Sequence, residues 1–397
     1  MKKILIVISN MGIGGAEKSL LSFLKSLSDA PQGAQYDIHL MVVDPKGAFC
    51  GEIPQKVARI EPPKALRWLG NPFSRELLTK HFSLSCLMGE AKWLIKKTLK
   101  RFPGQWNRQQ CLWDCWKRRV PALPEHYDAA ISYLDGFTNY YVMEKVSADK
   151  KILWVHSEYQ KRKYDPSYDA EYFQKADGVV TISEQCRQCI LQEFPRLSEK
   201  VFVLENITIP EEVLEKSSRG QCPEFADKLR LLTVARLNPL KGVDIAIEAA
   251  RQLKSAGVDF QWLVVGDGPE RASLQAQIDS LGLGDCVVLL GSRENPYGYM
   301  KTCDILVQSS RVEGRSIVLD EAKILEKPIV ATNYTTVVDS LIHGKTGWIV
   351  EMTPQAVADG ILRLQQDENL RNQLRENLKK EPKGDGALLQ RYMEIMF

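Results

Sequence analysis

Apolar runs of strand length alternate with helical patterns along almost the whole chain. The first run, KILIVIS at 3–9, precedes a segment whose apolar residues recur at helical spacing. The series continues with runs at 36–43, 56–60, 127–134, 150–156 and 178–183. A second series occupies 229–235, 260–266, 286–291, 304–310, 328–332 and 347–350. Continuous apolar strands separated by helices are typical of parallel sheets covered on both faces. The pattern therefore predicts an α/β protein with two doubly wound, Rossmann-like domains.

The two series meet in a polar segment, VLENITIPEEVLEKSSRG at 203–220, which combines a proline, a glycine, serines and charges as linkers do. We therefore expect a first domain over 1–206 and a second domain over 207–378. The last residues, 379–397, have a helical pattern and no strand to pair with.

The segment 62–125 interrupts the alternation in the first domain. It holds thirteen Lys and Arg against four acids, a net charge of +9, so the rest of the chain carries 3 − 9 = −6. Five of the eight tryptophans also lie here. Within it, the helical pattern puts apolar residues on one face: Leu87, Ala91, Leu94, Ile95, Thr98, Leu99 and Phe102. A basic amphipathic helix with nearby tryptophans suits an anionic membrane surface, and the alternative is that this apolar face covers the first domain. No recognised motif for binding nucleic acid accompanies the charges.

Composition and short motifs exclude several classes of protein. No run reaches the ~18–20 apolar residues that span a bilayer, and Met1–Lys3 leads into an apolar run too short for a secretory signal. We therefore expect a cytoplasmic protein with nine reduced cysteines. Cys186-x-x-Cys189 lies in a helical pattern without a second such pair, so it does not indicate a metal or redox site.

Two glycine-rich turns follow predicted strands. Gly14 and Gly15 precede a helix whose N-terminus favours an anion, but a dinucleotide fingerprint counted from Gly12 requires a glycine where Glu17 stands. The turn at Gly266 repeats the arrangement in the second domain. Each turn alone is also explained by tight backbone packing.

Charged residues are expected where the strands of the second domain end. Arg236 follows one strand and Lys241 precedes a helix, so two cations at this edge suit a diphosphate, or form a structural salt bridge. Glu313 lies in a turn before the helix that carries Glu321, and this arrangement does not suit a glycosidase pair roughly 5–10 Å apart. A carboxylate that accepts two hydrogen bonds suits a ribose diol, and amide groups around Gly314–Ile317 suit a phosphate or a sugar hydroxyl.

These motifs together resemble the retaining glycosyltransferases of the GT-B fold, often called glycosyltransferase family four. The signature is E-x7-E, which is Glu313-GRSIVLD-Glu321 in this chain. ARL…KG, GDGP, KPIVAT and GKTGWIV follow the family's order over most of 225–352. In the first domain the resemblance rests on GGAE, on Trp154-Val155-His156 and on the Ser183-Glu184 pair.

The resemblance implies two Rossmann-like domains that face each other across a cleft, with 379–397 as a helix returning to the first domain. It implies that Arg236 and Lys241 bind the diphosphate of a nucleotide sugar and that Glu321 binds the ribose hydroxyls. Glu313 contacts the donor sugar, and His156 faces the donor sugar or the acceptor. The other residues expected at the donor are Gly314, Ser316, Ile317, Arg293 near the base, Gly266, and Gly14 and Gly15 across the cleft.

The implied activity is transfer of a hexose or N-acetylhexosamine from a nucleotide sugar, with UDP favoured, to a glycan or lipid-linked acceptor. Such enzymes retain the anomeric configuration and use neither metal nor cofactor, in accord with the lack of a D-x-D motif. Polysaccharide or glycolipid assembly at the inner face of the membrane is the expected setting. The chain departs from the family at Arg315, where an apolar or aromatic residue is usual, and in the length of 62–125.

Three alternatives remain at this level. One is a sugar-phosphate or epimerase-like enzyme of the same fold, which needs no acceptor. Another is a non-catalytic scaffold that binds a nucleotide sugar or docks on a membrane. The last is a dehydrogenase, with Asp44 as its ribose-binding acid and Glu17 as the residue that speaks against it.

Overall fold

The structure is a computed structural model that describes residues 1–70, 88, 91–95, 98, 106–219, 226, 228–381 and 386–396. Its contacts divide the chain into two compact units. The N-terminal unit runs from Met1 to Ile207 and includes the C-terminal helix of the chain. The C-terminal unit begins at Thr208. The sequence pattern placed this boundary one residue earlier, between 206 and 207.

A sheet of seven parallel strands forms the centre of the N-terminal unit, in the order β3-β2-β1-β4-β5-β6-β7. The strands are β1 Lys2–Asn10, β2 Tyr36–Asp44, β3 Ala58–Arg59, β4 His126–Ser132, β5 Ser147–Val155, β6 Gly178–Thr181 and β7 Val201–Val203. Alternate residues of β1 enter different cores: Leu5 belongs to one apolar cluster, and Ile4 and Ile6 to the other. The sheet is therefore covered on both faces, as its continuous apolar runs predict.

Helices described before the linker in the N-terminal unit are α1 Gly15–Asp29, α2 Lys64–Gly70, α3 Arg108–Trp116, α4 Phe137–Lys145, α5 Pro166–Lys175 and α6 Glu184–Glu193. Three of them, α3, α5 and α6, begin at polar side chains that accept hydrogen bonds from their first amide groups. Asn107 and Gln110 form a reciprocal capping box at α3. The side chains of Asp165 and Ser183 accept hydrogen bonds from the first turns of α5 and α6.

A second parallel sheet, of six strands in the order β10-β9-β8-β11-β12-β13, forms the centre of the C-terminal unit. Its strands are β8 Leu229–Val234, β9 Phe260–Val265, β10 Val287–Gly291, β11 Ile305–Gln308, β12 Ile329–Thr332 and β13 Trp348–Val350. The helices are α7 Pro210–Ser218, α8 Val243–Ser255, α9 Arg271–Ser280, α10 Tyr297–Thr302, α11 Ile317–Ile324, α12 Pro354–Gln366 and α13 Glu368–Lys380. The predicted fold class, two doubly wound α/β domains, is confirmed.

The last helix, α14 Gly386–Met396, packs on the N-terminal unit. The Tyr392 hydroxyl donates a hydrogen bond to the Glu205 carbonyl at 2.8 Å, and its ring lies 5.1 Å from that of Phe23. Lys379 and Lys380, which the sequence pattern assigned to this last segment, instead end α13.

Three tryptophans of the basic segment belong to the interior of the N-terminal unit. Trp68, Trp113 and Trp116 are fully buried, and the rings of Trp68 and Trp116 stack with 6.2 Å between centroids. The predicted amphipathic helix is described only at 88, 91–95 and 98, where Leu94 and Ile95 are 52% and 58% exposed. Three positions of the predicted face, Leu87, Leu99 and Phe102, lie outside the described residues.

No helix in the described part of the chain is long and apolar enough to cross a bilayer.

Candidate functional site

Two loops of the C-terminal unit lie side by side where β8 and the neighbouring β11 end. The amide of Arg311 donates to the Leu240 carbonyl at 2.7 Å, and the Ser309 hydroxyl donates to the Lys241 carbonyl at 3.3 Å. Gly242 begins α8 with φ +60°, and a Cβ on it would lie 2.0 Å from the Ser309 carbonyl oxygen. Glycine is required here both for the left-handed backbone and for the close approach of the two loops.

Lys241 and Glu313 meet across these loops. The lysine Nζ lies 2.7 and 2.6 Å from the two carboxylate oxygens. The Ser310 hydroxyl donates to one of these oxygens at 2.7 Å, and the Thr336 hydroxyl donates to the Glu313 carbonyl at 2.9 Å. Only 9% of the Glu313 side chain is exposed, against 26% for Lys241. Lys241 thus forms a salt bridge, which the sequence analysis named as the alternative to binding a diphosphate. Its ammonium group nevertheless lies at the sheet edge where the diphosphate was predicted.

Glu321 lies inside the unit rather than on the loop. It is 1% exposed, within α11, and accepts a hydrogen bond from the Tyr297 hydroxyl of α10 at 3.0 Å. Glu313 precedes α11, so the two acids of the E-x7-E signature have different surroundings and different partners. This supports two separate roles rather than a shared acid–base pair.

The N-terminus of α11 is tied to the sheet by side chains. Ser316 is the residue before the helix, and its hydroxyl accepts a hydrogen bond from the Gln308 amide at 2.5 Å. The Tyr334 hydroxyl donates to the Gln308 side-chain carbonyl at 2.7 Å. Because the first amide groups of a helix have no partner within it, Ser316 and Ile317 lie where backbone donors are available to a ligand.

Arg315, the departure from the family pattern, is an internal residue of this unit. Its side chain is 8% exposed and pairs with Asp320 at 3.3 Å. The guanidinium also donates to the Asp339 carbonyl at 3.1 Å. The side chain therefore joins α11 to the turn at Val337–Asp339.

Arg236 and Gly266 are brought together by backbone packing. The Leu237 amide donates to the Asp267 carbonyl at 3.0 Å, and this hydrogen bond joins the loop after β8 to the loop after β9. Gly266 has φ +139°, and a Cβ on it would lie 1.9 Å from the Ala235 carbonyl oxygen. Tight packing thus explains Gly266. The side chain of Arg236 is exposed at the same edge, and within the described ranges no acid pairs with it.

Arg293 lies after the edge strand β10, three strands from β11, and its Nε donates to the Tyr299 hydroxyl at 3.2 Å. In the C-terminal unit, among the residues predicted to form the site, Lys241 and Glu313 are in direct side-chain contact, and Ser316 follows Glu313 by three residues at the start of α11.

Gly14 and Gly15 begin α1 in the N-terminal unit, after β1. The Glu17 carboxylate folds back over this turn, because a Cβ on Gly14 would lie 2.2 Å from its Oε2. A carboxylate at the helix N-terminus occupies the position that a dinucleotide phosphate needs. The arrangement argues against the dehydrogenase alternative.

His156 follows β5 and stacks in an aromatic series. Its ring lies 5.1 Å from that of Tyr133 and 6.3 Å from that of Trp154. Burial lowers the pKa of His156 to about 4, although the nearby Asp135 carboxylate and a hydrogen bond with the Tyr133 main chain both act to raise it. His156 is therefore neutral at physiological pH.

The sequence interpretation missed Asp135 in the N-terminal unit and Gln308 and Tyr334 in the C-terminal unit. Asp135 could have been found, because it stands in an LDG turn directly after a predicted strand. The hydrogen-bonded series Tyr334–Gln308–Ser316 could not be predicted from the sequence, since its three residues come from different elements.

Among the described residues, no group of three or more His, Cys, Asp or Glu side chains could hold a metal ion. Cys186 and Cys189 are both buried thiols in the N-terminal unit.

Comparisons with known proteins agree with this geometry. Residues 215–381 match the family described as glycosyl transferases group 1. The chain is 36% identical over 149 residues to the amylovoran biosynthesis glycosyltransferase AmsK of Erwinia amylovora, covering 35% of this chain and 37% of the relative. It is 34% identical over 212 residues to the alpha-D-kanosaminyltransferase of Streptomyces kanamyceticus, covering 51% of this chain and 55% of the relative. The matches thus span about a third to about half of the length of these relatives.

Solved structures share the fold over the full length. The structure of Anabaena Alr3699/HepE in complex with UDP and glucose superposes with a TM-score of 0.69, at 18% identity, covering 99% of both chains. Staphylococcus aureus TarM superposes with a TM-score of 0.65, at 16% identity, covering 100% of this chain and 99% of the other. The predicted fold is confirmed: residues 215–381 match the model of the group 1 glycosyl transferases, and the chain has the GT-B fold.

Proposed function

We propose that the protein is a retaining glycosyltransferase, which moves a hexose or N-acetylhexosamine from a UDP-sugar to a glycan or lipid-linked acceptor. The observation that carries the proposal is the cluster of Lys241, Glu313 and the α11 N-terminus at the carboxyl edge of the C-terminal sheet. In open α/β sheets, ligands bind at this edge. Polysaccharide or glycolipid assembly is the setting, and the reaction requires neither metal nor cofactor.

The charges at this edge suit a diphosphate leaving group. As the bond to the donor sugar breaks, negative charge develops on the diphosphate, and fixed cations stabilise that charge without reorganising. Arg236 is exposed at the edge, and Lys241 is held there by Glu313. When the diphosphate is bound, it shares Lys241 with Glu313, whose carboxylate then lies beside the donor sugar.

The buried acid of the signature suits the ribose. Tyr297 occupies one side of Glu321 and fixes its carboxylate, and a carboxylate so oriented accepts hydrogen bonds from a vicinal diol. Complexes of proteins with similar folds support UDP as the nucleotide: HepE was solved with UDP and with UDP-glucose, and TarM with UDP. Relatives named for amylovoran and capsular polysaccharide biosynthesis support a glycan product.

The experiment is a thermal-shift panel of UDP-, GDP-, ADP- and dTDP-sugars with the full chain, followed by NMR of the product with the donor that binds. We expect a UDP-sugar to raise the melting temperature and the product to keep the donor's anomeric configuration. An inverted product contradicts the retaining mechanism. Binding without turnover, across a broad acceptor panel, favours the non-catalytic scaffold instead.

We propose, separately, that the basic segment docks the protein on the anionic inner face of a membrane. Its net charge of +9 attracts anionic lipid, and Leu94 and Ile95 are exposed beside Lys92. The three buried tryptophans anchor the segment to the unit and do not themselves face lipid.

Co-sedimentation with vesicles tests this docking. The wild type should sediment with vesicles of phosphatidylglycerol and phosphatidylcholine but not of phosphatidylcholine alone. Leu94→Asp with Ile95→Asp should abolish sedimentation, whereas Leu214→Asp, at an exposed leucine of the C-terminal unit, should not. Equal sedimentation of wild type and the double variant contradicts the proposal.

A further inference from the structure

An ion pair joins the two flanks of Lys241 in the C-terminal unit. Arg311 lies in the loop after β11, and its guanidinium donates to both carboxylate oxygens of Asp244, from Nη1 at 2.7 Å and from Nη2 at 2.6 Å. Nη1 also donates to the Pro239 carbonyl at 2.9 Å. Pro239 precedes Lys241 by two residues, and Asp244 follows it by three. A single arginine side chain therefore holds the segment that carries this lysine on both sides.

Main-chain contacts add to the hold of this segment. The amide of Arg311 donates to the Leu240 carbonyl at 2.7 Å, and the Ser309 hydroxyl donates to the Lys241 carbonyl at 3.3 Å. Three consecutive carbonyls, those of Pro239, Leu240 and Lys241, thus accept hydrogen bonds from residues 309–311. The main chain of Lys241 is therefore fixed relative to the loop after β11.

The chemistry of the pair suits this double contact. The guanidinium of arginine is a planar fork with five N–H donors, so it binds a carboxylate at two points and still reaches a carbonyl. Asp244 lies in the first turn of α8, where a negative charge is favourable. Hydrogen bonds from Arg311 and its positive charge hold the pKa of Asp244 below its usual range, so the pair is ionised at neutral pH.

The ammonium of Lys241 has a different partner, Glu313, at 2.7 and 2.6 Å from its two carboxylate oxygens. The Arg311–Asp244 pair therefore acts on the lysine through its main chain rather than through its charge. Both members of the pair are half-buried, and such pairs contribute little to the stability of a fold. We therefore expect the loss of the pair to change the position of Lys241 more than it changes folding.

We propose that the Arg311–Asp244 ion pair positions Lys241, so that its ammonium lies where the diphosphate of the donor binds. The diphosphate at this edge is part of the proposed function, on which this inference rests. Two other roles of Arg311 lead to different expectations. If Arg311 bound the diphosphate itself, Asp244 would compete with the ligand, and removing Asp244 would strengthen binding. If the pair only joined two loops, its loss would lower the melting temperature and leave the affinity unchanged.

Calorimetry with UDP and the full chain separates these roles. Asp244→Asn keeps the size of the side chain but removes its charge and one of the two oxygens that face the guanidinium. We expect UDP to bind about fivefold more weakly, although loss of a negative charge near an anion would by itself strengthen binding. Arg311→Lys should weaken binding by about the same factor, because an ammonium does not reproduce the fork. The control is Glu248→Gln, which removes an acid one turn further along α8 and should bind UDP as the wild type does.

A double-mutant cycle tests whether the pair acts through Lys241. Lys241→Ala alone should weaken UDP binding about tenfold, since it removes a charged hydrogen-bond donor. In that background, Asp244→Asn should change the affinity by less than about twofold, because no lysine remains to be positioned. If Asp244→Asn does not fold, Arg311→Lys takes its place in the cycle. The same loss in both backgrounds, or unchanged or stronger UDP binding by Asp244→Asn alone, overturns the inference.

Acetylation of lysines, followed by mass spectrometry, reports on Lys241 without any nucleotide. Acetic anhydride should modify Lys241 about threefold faster in Asp244→Asn than in the wild type, because the displaced ammonium is paired with Glu313 for less of the time. Lys254, which pairs with Asp285, is the control and should react at the same rate in both proteins. An unchanged rate at Lys241 overturns the inference.

The two measurements separate this inference from the function on which it rests. UDP binding by the wild type, with unchanged affinity in Asp244→Asn, leaves the proposed function standing and removes the positioning role. Faster acetylation of Lys241 in Asp244→Asn, without binding of UDP or a nucleotide sugar by the wild type, supports the positioning of Lys241 and removes the proposed function.

Discussion

The carboxyl edges of the two sheets differ in how their charged side chains are paired. In the C-terminal unit, charged side chains pair with one another: Lys241 with Glu313, and Arg311 with Asp244. In the N-terminal unit, one oxygen of the Asp135 carboxylate accepts hydrogen bonds while the other has no partner among the described residues, and His156 nearby is neutral. Paired charges suit a ligand that carries charge and exchanges partners, whereas unfilled neutral and anionic acceptors suit hydroxyl groups. The paired charges of the C-terminal edge fit the diphosphate that we propose binds there.

Removing the Lys241 side chain should reduce activity more than any other change proposed for either sheet edge. A small effect would contradict the proposed difference between the two sheet edges. Lys241→Ala leaves the buried Glu313 carboxylate without its cation and removes one of two charges at the proposed diphosphate site. We expect donor turnover to fall by about 10²–10³ in kcat/KM. Lys254→Ala, at an exposed pair with Asp285, is the control and should stay within twofold of wild type. Near-normal turnover by Lys241→Ala contradicts the assignment of this edge to the diphosphate.

Gly266→Ala tests whether the C-terminal edge is a rigid frame. A methyl group at φ +139° and 1.9 Å from the Ala235 carbonyl oxygen forces the two loops apart. We expect a loss of about 2–4 kcal/mol in the free energy of unfolding, measured by urea denaturation. Gly257→Ala has a positive φ of 76° but meets nothing within 4 Å, and should cost only about 1 kcal/mol. Equal losses in the two variants would show that close packing of these loops is unimportant.

The N-terminal unit should reveal its buried groups through opposite pH dependences. His156 has a pKa lowered to about 4, so the unfolded chain binds its proton more readily, and stability is lost as the pH falls toward 4. Asp169 has a pKa raised to about 6 by burial, despite hydrogen bonds from Tyr140, Tyr159 and Gln110. Its contribution is therefore full below the ordinary pKa of an aspartate and is lost as the pH rises through about 6.

Each dependence is measured as the difference between the wild type and a variant, His156→Phe or Asp169→Asn, by urea unfolding from pH 4.5 to 7.5. We expect differences of about 1–3 kcal/mol across this range, with opposite signs. Tryptophan fluorescence reports mainly the N-terminal unit, which holds six of the eight tryptophans. Two differences of the same sign would contradict the burial of one of these groups.

Glu321→Gln should produce the smallest of these effects and sharpen the contrast between the two acids. The amide keeps a partner for Tyr297 but loses the charge with which we propose that Glu321 binds the ribose hydroxyls. We expect UDP to bind about tenfold more weakly, which corresponds to about 1.4 kcal/mol. Calorimetry with 2′-deoxy-UDP is the control: the wild type should discriminate against it, and the variant should not. Retained discrimination by Glu321→Gln would place the ribose elsewhere.

Sequence reasoning went furthest where the signal was local. The alternation of runs predicted both sheets, and the spacing of Glu313 and Glu321 indicated the family whose model matches residues 215–381. It failed where side chains from distant segments meet. Arg315 was singled out as a departure from the family pattern, and no sequence signal indicated that its side chain is directed inward toward Asp320 and the Asp339 carbonyl. Trp68, Trp113 and Trp116 looked like part of a basic surface, yet they pack in the core.

The sequence by itself determined that this chain forms two parallel sheets and carries the glycosyltransferase signature, because periodicity and motif spacing are properties of neighbouring residues. Tertiary structure alone decided which side chains share a site. Lys241 contacts Glu313, 72 residues away in the chain, because β8 pairs with β11 as well as with β9, the strand that follows it. Asp135 meets Arg162 because β4 and β5 end side by side. The order of the strands in each sheet determines these contacts, and that order depends on the packing of the whole unit.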